Sequence, residues 1–340
     1  MKVIDPCCTL LTNSEVFSIL NEAKLNQSAE QKSKKSFQNH NTVVYECLKY
    51  LNGTKPYAQA RLGIASCIRA LAKFNLTGAE LKQLVNLLPE QPIDIQLIVE
   101  ECEERLSEEQ VDEMIQIIGK IIQAPKGAVI NGMHVLAIIE DVVRIPFHRI
   151  GEDFMATLIE KINKQYSNYV IEDVGLCISF YDFVHVGESF LLPGESFTCT
   201  PLTFRYVVFR PLVNEIFTGH ILRANRDAVI VSVEFCSDIL ITPDKLPSVS
   251  KFDENGQNWY WEYESDGTVA KLYMEPGDRV KCRVLSVHYT NIEPGISSDM
   301  ASAITIKASM AETGLGCLSW WENADSTQEN GDTEPNVDVD

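Results

Sequence analysis

The chain has 340 residues, 45% of them hydrophobic, and a formal net charge of −19. This length and apolar content suit two or three folded domains. So acidic a chain does not coat nucleic acid with its whole surface, and any such contact requires a local basic patch. The charge is also uneven, because residues 1–132 carry 14 basic and 16 acidic side chains and the remainder carries a net −17, which indicates two different units.

The first part of the chain is predicted to be helical. Asn13 is placed to cap a first helix, and a polar loop is expected at residues 26–40. A second helix over 41–53 is expected to end at Gly53, because glycine tolerates the positive φ of a helix C-terminus. A third helix is expected near 58–74. Residues 1–76 are thus an N-terminal segment with helices.

A compact bundle of three short helices is predicted over residues 77–123. The pairs Thr77 with Glu80 and Ser107 with Gln110 have the spacing of capping boxes, which open helices. Apolar residues after each box lie on one helix face. Residues 124–132 contain one proline and two glycines and are predicted to be a linker.

Strand patterns dominate after the linker. Residues 133–200 are predicted to form a small α+β domain, with one helix near 152–166. Several short strands with turn signals between 204 and 320 suit a small antiparallel barrel. Residues 322–340 carry seven acidic side chains and no basic one, and this composition predicts a disordered tail.

Specific motifs resemble a known family. In the first part, LLTNSEVFSIL, NHNTVVYECLKYL, LTGAELKQLVNLLP and IDIQLIVEECEERLSEEQ resemble the smaller stalk subunit of RNA polymerase III, also known as a calcitonin-gene-related-peptide receptor component. In the second part, VRIPFHR, VGLCISFYDF, FRYVVFRP, DILITPDKL, WYWEYE and GLGCLSWW resemble the larger stalk subunit. The resemblance covers about 1–123 and 133–322, with the motifs in the family's order.

The resemblance implies a multidomain α+β protein. An all-helical HRDC-like bundle would precede an α+β tip domain that docks on the polymerase core, and an antiparallel OB-fold β-barrel would follow at 204–320. The expected function is a non-catalytic stalk component in the nucleus, contacting polymerase III initiation factors and, weakly, emerging single-stranded RNA. The two halves would pair within one molecule, and no membrane contact is expected.

The two stalk subunits are separate polypeptides in the family, whereas this chain joins them, with Met133 where the larger one would begin. A fused gene and a gene prediction that runs two neighbouring frames together both fit this arrangement. A polymerase-independent RNA-binding module and a receptor-signalling accessory protein are the alternative functions.

Catalysis has little support in the sequence. The acidic run Glu100, Glu101, Glu103 and Glu104 has no histidine or metal-ligand motif beside it, so a solvated helix face is favoured. No phosphate-binding loop or other cofactor motif is present. The ten cysteines lack CxxC or zinc spacing and favour reduced, buried thiols.

RNA binding can be assigned to candidate residues. Single-strand-binding barrels combine stacking aromatics with cations that hold phosphates. The candidates on or beside the barrel strands are Phe217, His220, Arg223, Arg226, Lys271, Arg279, Lys281 and Arg283. Strand alternation puts Arg279, Lys281 and Arg283 on one face, and an ordinary solvent-facing polar edge is equally consistent with that pattern.

RNA-binding barrels of this type commonly carry stacking aromatics in the second strand and a histidine in the third, but this chain has Val229, Ile230 and Ile241 near those places. The prediction is therefore weak, sequence-tolerant binding. WYWEYE at 259–264 and the pair Trp320–Trp321 fit barrel-core packing or, as the alternative, a partner-docking surface. The apolar faces of the bundle and the strand near 133–144 are the expected contact between the halves.

Overall fold

The computed structural model describes residues 1–29, 38–53, 67–89, 91–119, 133–149, 153–254, 256–265, 268–289 and 304–322. The predicted linker at 124–132 and the acidic tail from residue 323 onward lie outside these residues. Among the helices that these ranges contain, none is long and apolar enough to cross a bilayer.

The first part is helical as predicted, with some changes of boundary. Residues 67–71 are helical and continue into a 3₁₀ turn at Ala72–Phe74. The helices are α1 Asn13–Ala29, α2 Gln38–Gly53, α3 Gly78–Leu87, α4 Pro92–Ile98, α5 Cys102–Arg105 and α6 Glu108–Gly119. The loop predicted at 26–40 is too long at both ends, because α1 continues to Ala29 and α2 already begins at Gln38.

Both predicted capping boxes are formed. The Thr77 amide donates to Glu80 Oε2 at 2.7 Å, and the Glu80 amide donates to Thr77 Oγ1 at 3.2 Å. Ser107 and Gln110 exchange the same two bonds at 3.0 and 3.3 Å. Each box satisfies backbone donors that a helix N-terminus leaves free.

The middle helix of the bundle is broken, which the sequence did not indicate. Glu101 has φ +51°, in the left-handed region, and separates α4 from α5. The break lets both Val99 and Cys102 reach the apolar core of the bundle. Core burial thus outweighs the helical propensity of an unbroken segment here.

A six-stranded sheet contains strands from both parts of the chain. Its order is β1-β2-β6-β4-β3, with β5 paired to β6. The strands are β1 Lys2–Leu11, β2 His134–Pro146, β3 Tyr169–Ile171, β4 Gly175–Val186, β5 Phe190–Leu191 and β6 Phe197–Phe209. Helix α7, Phe154–Tyr166, packs against β2 and β4. The boundary expected between 200 and 204 lies inside β6, so we place the end of this domain after Phe209.

Five further strands close into a ring. They are β7 Ile216–Ala224, β8 Val229–Ser232, β9 Ile239–Ile241, β13 Arg279–Tyr289 and β14 Ile304–Ser309. Around the ring the order is β7-β8-β9-β14-β13, and β13 pairs back onto β7. All pairs are antiparallel except β9 with β14. The short β15, Gly316–Cys317, extends the sheet beside β13.

A separate three-stranded sheet is inserted between β9 and β13. It consists of β10 Ser250–Asp253, β11 Asn258–Ser265 and β12 Thr268–Met274, in that order. The WYWEYE segment is β11, the central strand, and it is therefore not a strand of the barrel. Helix α8, Ser319–Glu322, follows β15.

Candidate nucleic-acid interface

The register of β7 and β13 determines which predicted cations meet. Arg279 lies directly opposite His220, Lys281 opposite Thr218, and Arg283 opposite Ile216. Directly opposed side chains in an antiparallel pair point to the same face. His220 and Arg279 are thus brought together at one end of the strand pair, while Lys281 and Arg283 lie towards the other end.

Lys281 does not face solvent. Its ammonium lies 2.6 Å from Asp94 Oδ1 on α4, and the residue is only 8% exposed. The alternation argument placed Lys281 on the same face as its basic neighbours. The helical bundle, however, covers that end of the face. A cation held by a carboxylate and largely desolvated is not available to a phosphate, so Lys281 is removed from the candidate RNA site.

Arg283 is likewise held between the two parts of the chain. Its guanidinium donates to the Leu97 carbonyl at 2.9 Å, to the Asn214 carbonyl at 3.1 Å and to Glu312 at 2.8 Å. The Leu97 bond belongs to α4 and the other two to the barrel. Arg283 therefore connects β13 to the bundle through hydrogen bonds, and we no longer count it among the candidate RNA-binding residues.

Phe217 was predicted to stack on a base, but it is completely buried. It lies on β7 opposite Cys282 and belongs to the apolar interior of the barrel. Buried Val229, Ile230 and Ile241 are part of the same barrel. A ring without an exposed face cannot stack on nucleic acid, so the barrel strands provide no aromatic platform at these places.

Five predicted cations and histidines remain at the surface or partly exposed: His220, Arg223, Arg226, Lys271 and Arg279. Arg226 is ion-paired with Glu254. Lys271 lies over the ring of Tyr260, 4.9 Å from its centroid. Arg223 and Arg279 form no ion pair with any carboxylate in the part of the chain that the structure describes. We call His220, Arg223 and Arg279 the basic face.

The contact between the two parts is larger than the sequence suggested. Strand β1 pairs with β2 from Lys2 opposite Glu140 to Leu11 opposite His134, and the N-terminal ammonium lies 2.9 Å from Asp141. On α2, the Tyr50 hydroxyl donates to the Thr218 carbonyl at 3.2 Å. The expected participation of the strand near 133–144 is confirmed. Its partner β1 was missed, because Pro6 and poor alternation hide the strand.

Charged and polar groups are also buried at this junction. Lys82 on α3 lies 3.3 Å from Glu215, with side chains 6% and 3% exposed. Burial raises the pKa of Glu215, and the neighbouring Lys82 ammonium works in the opposite direction. Within the first part, Asn13 on α1 and Asn86 on α3 are also buried, and the backbone N–H of Asn13 donates to Asn86 Oδ1 at 3.2 Å. Removal of either Lys82 or Glu215 would leave an uncompensated buried charge between the two parts.

Glu80, in the first turn of α3, is a further charged residue of the bundle. Burial alone would raise the pKa of its carboxyl, but hydrogen bonds from Arg105 and Thr77 outweigh burial and lower the pKa to about 2. The carboxylate thus remains ionised while it caps α3. It also accepts the Glu100 amide at 3.2 Å, which links α3 to the segment after α4.

The described residues were also compared with the ligand groups that hold metal ions in proteins. No three histidine, cysteine or acidic side chains in the described ranges are grouped so as to hold a metal ion. Most of the cysteines are buried and all are free thiols. Fold and site together define a two-part protein, in which a helical unit is joined to a sheet-and-barrel unit that carries a small basic face.

Comparison with known proteins gives this class a family. Three family models match in chain order: "RNA polymerase Rpb4" at residues 10–122, "SHS2 domain found in N terminus of Rpb7p/Rpc25p/MJ0397" at 140–196, and "RNA polymerase III subunit Rpc25" at 215–321. The match changes from the first kind of subunit to the second across the predicted linker.

Individual relatives agree. The chain is 37% identical to "DNA-directed RNA polymerase III subunit RPC8" of Bos taurus over 204 residues, which is 56% of this chain and all of that relative. It is 26% identical to the RPC8 of Saccharomyces cerevisiae, again over that protein's full length. It is 30% identical to "DNA-directed RNA polymerase III subunit rpc9" of Schizosaccharomyces pombe over 35% of this chain and 96% of that relative. The chain belongs to the RNA polymerase III stalk-subunit family and joins the two subunits in one polypeptide.

Proposed function

We propose that this chain forms the whole stalk of RNA polymerase III, as a non-catalytic nuclear component that acts in transcription initiation. The observation that carries the proposal is that each part covers nearly the full length of its own relative, and that strand β1 of the first part completes the sheet of the second. In this proposal the fused chain takes the place of two separately encoded subunits.

Each domain then has a role. The bundle at 77–119 is proposed as the HRDC-like unit, and the ring β7-β8-β9-β14-β13 as an OB-type barrel, whose five strands form a closed Greek key. The bundle and barrel would contact initiation factors. Emerging RNA would bind weakly at the basic face, with Arg226 and Lys271 at its margin.

The sheet domain is proposed to dock on the polymerase core. Three consecutive apolar residues at and beside its edge strand β5, Phe190, Leu191 and Leu192, are 45%, 60% and 43% exposed, and Phe147 nearby in the fold is 44% exposed. Large apolar side chains exposed together at the edge of a sheet are typical of an interaction surface. The edge of a sheet beside them offers further unpaired backbone groups.

The test is co-purification of the full-length chain with the polymerase core. The variant Leu191→Asp should lose at least tenfold in recovered core, because a charge would be desolvated in the docking surface. Leu25→Asp is the matched control, since Leu25 is also exposed, at 63%, but lies on α1. Wild type that never recovers the core would contradict the proposed function. Equal losses in the two variants would contradict the docking surface.

A further inference from the structure

The inserted sheet β10-β11-β12 has two chemically different faces. One face carries Phe252, Trp259 and Trp261, which pack against the barrel's apolar core. The Trp259 indole donates to the Asn225 carbonyl at 2.8 Å, and the Trp261 indole donates to the Ser248 carbonyl at 2.9 Å. These contacts fix the inner face. Successive strand residues point to opposite faces, so the residues between them face outwards.

The outer face presents two aromatic rings side by side. Tyr260 lies directly opposite Tyr273 in the register, with ring centroids 5.5 Å apart, and Tyr273 is 41% exposed. The next opposed pair on this face is Glu262 with Lys271, whose ammonium lies over Tyr260. On the neighbouring strand β10, Lys251 lies opposite Tyr260. We call Tyr260, Tyr273, Lys251 and Lys271 the tyrosine platform.

The charges around the tyrosine platform are compatible with weak binding of single-stranded nucleic acid. Both oxygens of Glu262 accept from Lys251 at 2.8 Å, so that carboxylate is compensated. Lys271 forms no ion pair with a described carboxylate, and its side chain remains exposed while its ammonium lies over the Tyr260 ring. Glu264 lies farther along the same face, where it limits the footprint. Two stacking rings with an adjacent ammonium are the elements that sequence-tolerant single-strand binding uses.

The inserted sheet is joined to the basic face. Arg226, in the turn between β7 and β8, is ion-paired with Glu254, in the turn between β10 and β11. The Trp259–Asn225 bond connects the same turn of the barrel to strand β11. Strand β7 carries His220 and Arg223 into this region. Phosphates held at the basic face would therefore lead a strand towards the tyrosine platform.

We infer that the tyrosine platform is the base-stacking site for single-stranded RNA in this protein, in place of stacking aromatics at the positions of the buried Val229, Ile230 and Ile241. The inference rests on the proposed RNA role of the stalk, and it adds the residues and the mode of binding. One base would stack on Tyr273, and a second would take the place of the Lys271 ammonium over the Tyr260 ring. The displaced Lys271 would then contact a phosphate. Because every base has a π-face, the site would tolerate any sequence.

The experiment measures binding of a fluorescein-labelled oligouridylate to the full-length chain by anisotropy, at low and at physiological salt. Tyr260→Leu with Tyr273→Leu keeps apolar, β-compatible side chains but removes the rings. Stacking energies per base predict a loss of at least about tenfold in affinity for the double variant. Tyr263→Leu is the matched control, because Tyr263 is 45% exposed but lies on the opposite face of β11, beside Trp261.

A second measurement guards against a folding defect. Photo-crosslinking of 5-iodouridine RNA to the unmodified chain should give adducts at Tyr260 or Tyr273. Unchanged affinity in the double variant, an equal loss in Tyr263→Leu, or adducts confined to other residues would overturn the platform. Loss of an initiation factor with unchanged RNA affinity would assign this face to a protein partner instead. None of these results alters recovery of the polymerase core, which tests the proposed function separately.

Discussion

His134 is a completely buried histidine at the first residue of β2, packed near the rings of Phe209 and Phe235. Burial lowers its pKa from 6.5 to about 3, and the ammonium of Lys82 acts in the same direction. Its ring is therefore neutral in the folded protein at physiological pH. Because this residue lies at the junction of the two parts, its protonation state is coupled to their association.

The lowered pKa makes stability depend on pH. The folded pKa lies below that of the unfolded chain, so the unfolded chain takes up the proton first as the pH falls. The contribution of the neutral, buried His134 to the free energy of unfolding is fully present above pH 6.5. It is lost progressively as the pH falls towards 3. Between pH 7 and pH 5 this histidine should lower the free energy of unfolding by about 2 kcal/mol.

Urea unfolding at the two pH values measures this effect. His134→Phe should remove about 2 kcal/mol of the pH dependence, since phenylalanine fits the aromatic surroundings and does not titrate. His148→Phe, at an exposed position, should leave the dependence unchanged. An equally steep pH dependence in wild type and His134→Phe would contradict the assignment. Residue identity alone did not reveal this site, because burial of His134 depends on partners distant in sequence.

At the scale of elements, β13 contributes to two surfaces at once. Its Arg279 belongs to the basic face, whereas Lys281 and Arg283 bind the bundle through Asp94 and the Leu97 carbonyl. The sequence predicted that all three share a face, because alternation along a strand is a local property. It could not predict that α4 covers one end of that face, because α4 lies almost 190 residues earlier in the chain.

Two matched double variants of this strand region should behave oppositely. Lys281→Met with Arg283→Met should increase amide hydrogen exchange in α4, since Asp94 and the Leu97 carbonyl are left without their partners, while RNA affinity stays within about twofold. Arg223→Met with Arg279→Met should leave α4 protected. In that variant RNA binding should depend less on salt. The slope of log K against log salt concentration should decrease in magnitude by about 0.7 for each phosphate that is no longer neutralised. The reverse pattern would show that RNA binds at Lys281 and Arg283, as the sequence predicted.

Other elements show the same limit of sequence analysis. Helix caps at Thr77 and Ser107 were predictable, because both partners of each bond lie within four residues. Strand β1 was not, because Pro6 is tolerated only at an edge, and the neighbouring strand β2 is more than 120 residues away. The inserted sheet also escaped prediction, since alternation identifies a strand but not the sheet to which it belongs.

At the scale of the whole molecule, the two parts are joined by more than the linker. They share a sheet through β1 and β2, an apolar core that combines α1 and α2 with barrel strands, and the buried Lys82–Glu215 pair. The sequence predicted the order of the units and the position of the change between them. It could not predict how they are arranged around a common core, because that depends on contacts between residues far apart in the chain.

The central claim is that one fused chain serves as the stalk of RNA polymerase III. The most direct measurement is sedimentation of native nuclear extract on a glycerol gradient, blotted with antibodies against each part of the chain. Both antibodies should detect one band at the combined mass, in the fractions that contain the polymerase core. Two smaller bands, or a full-length band that sediments apart from the core, would contradict the claim.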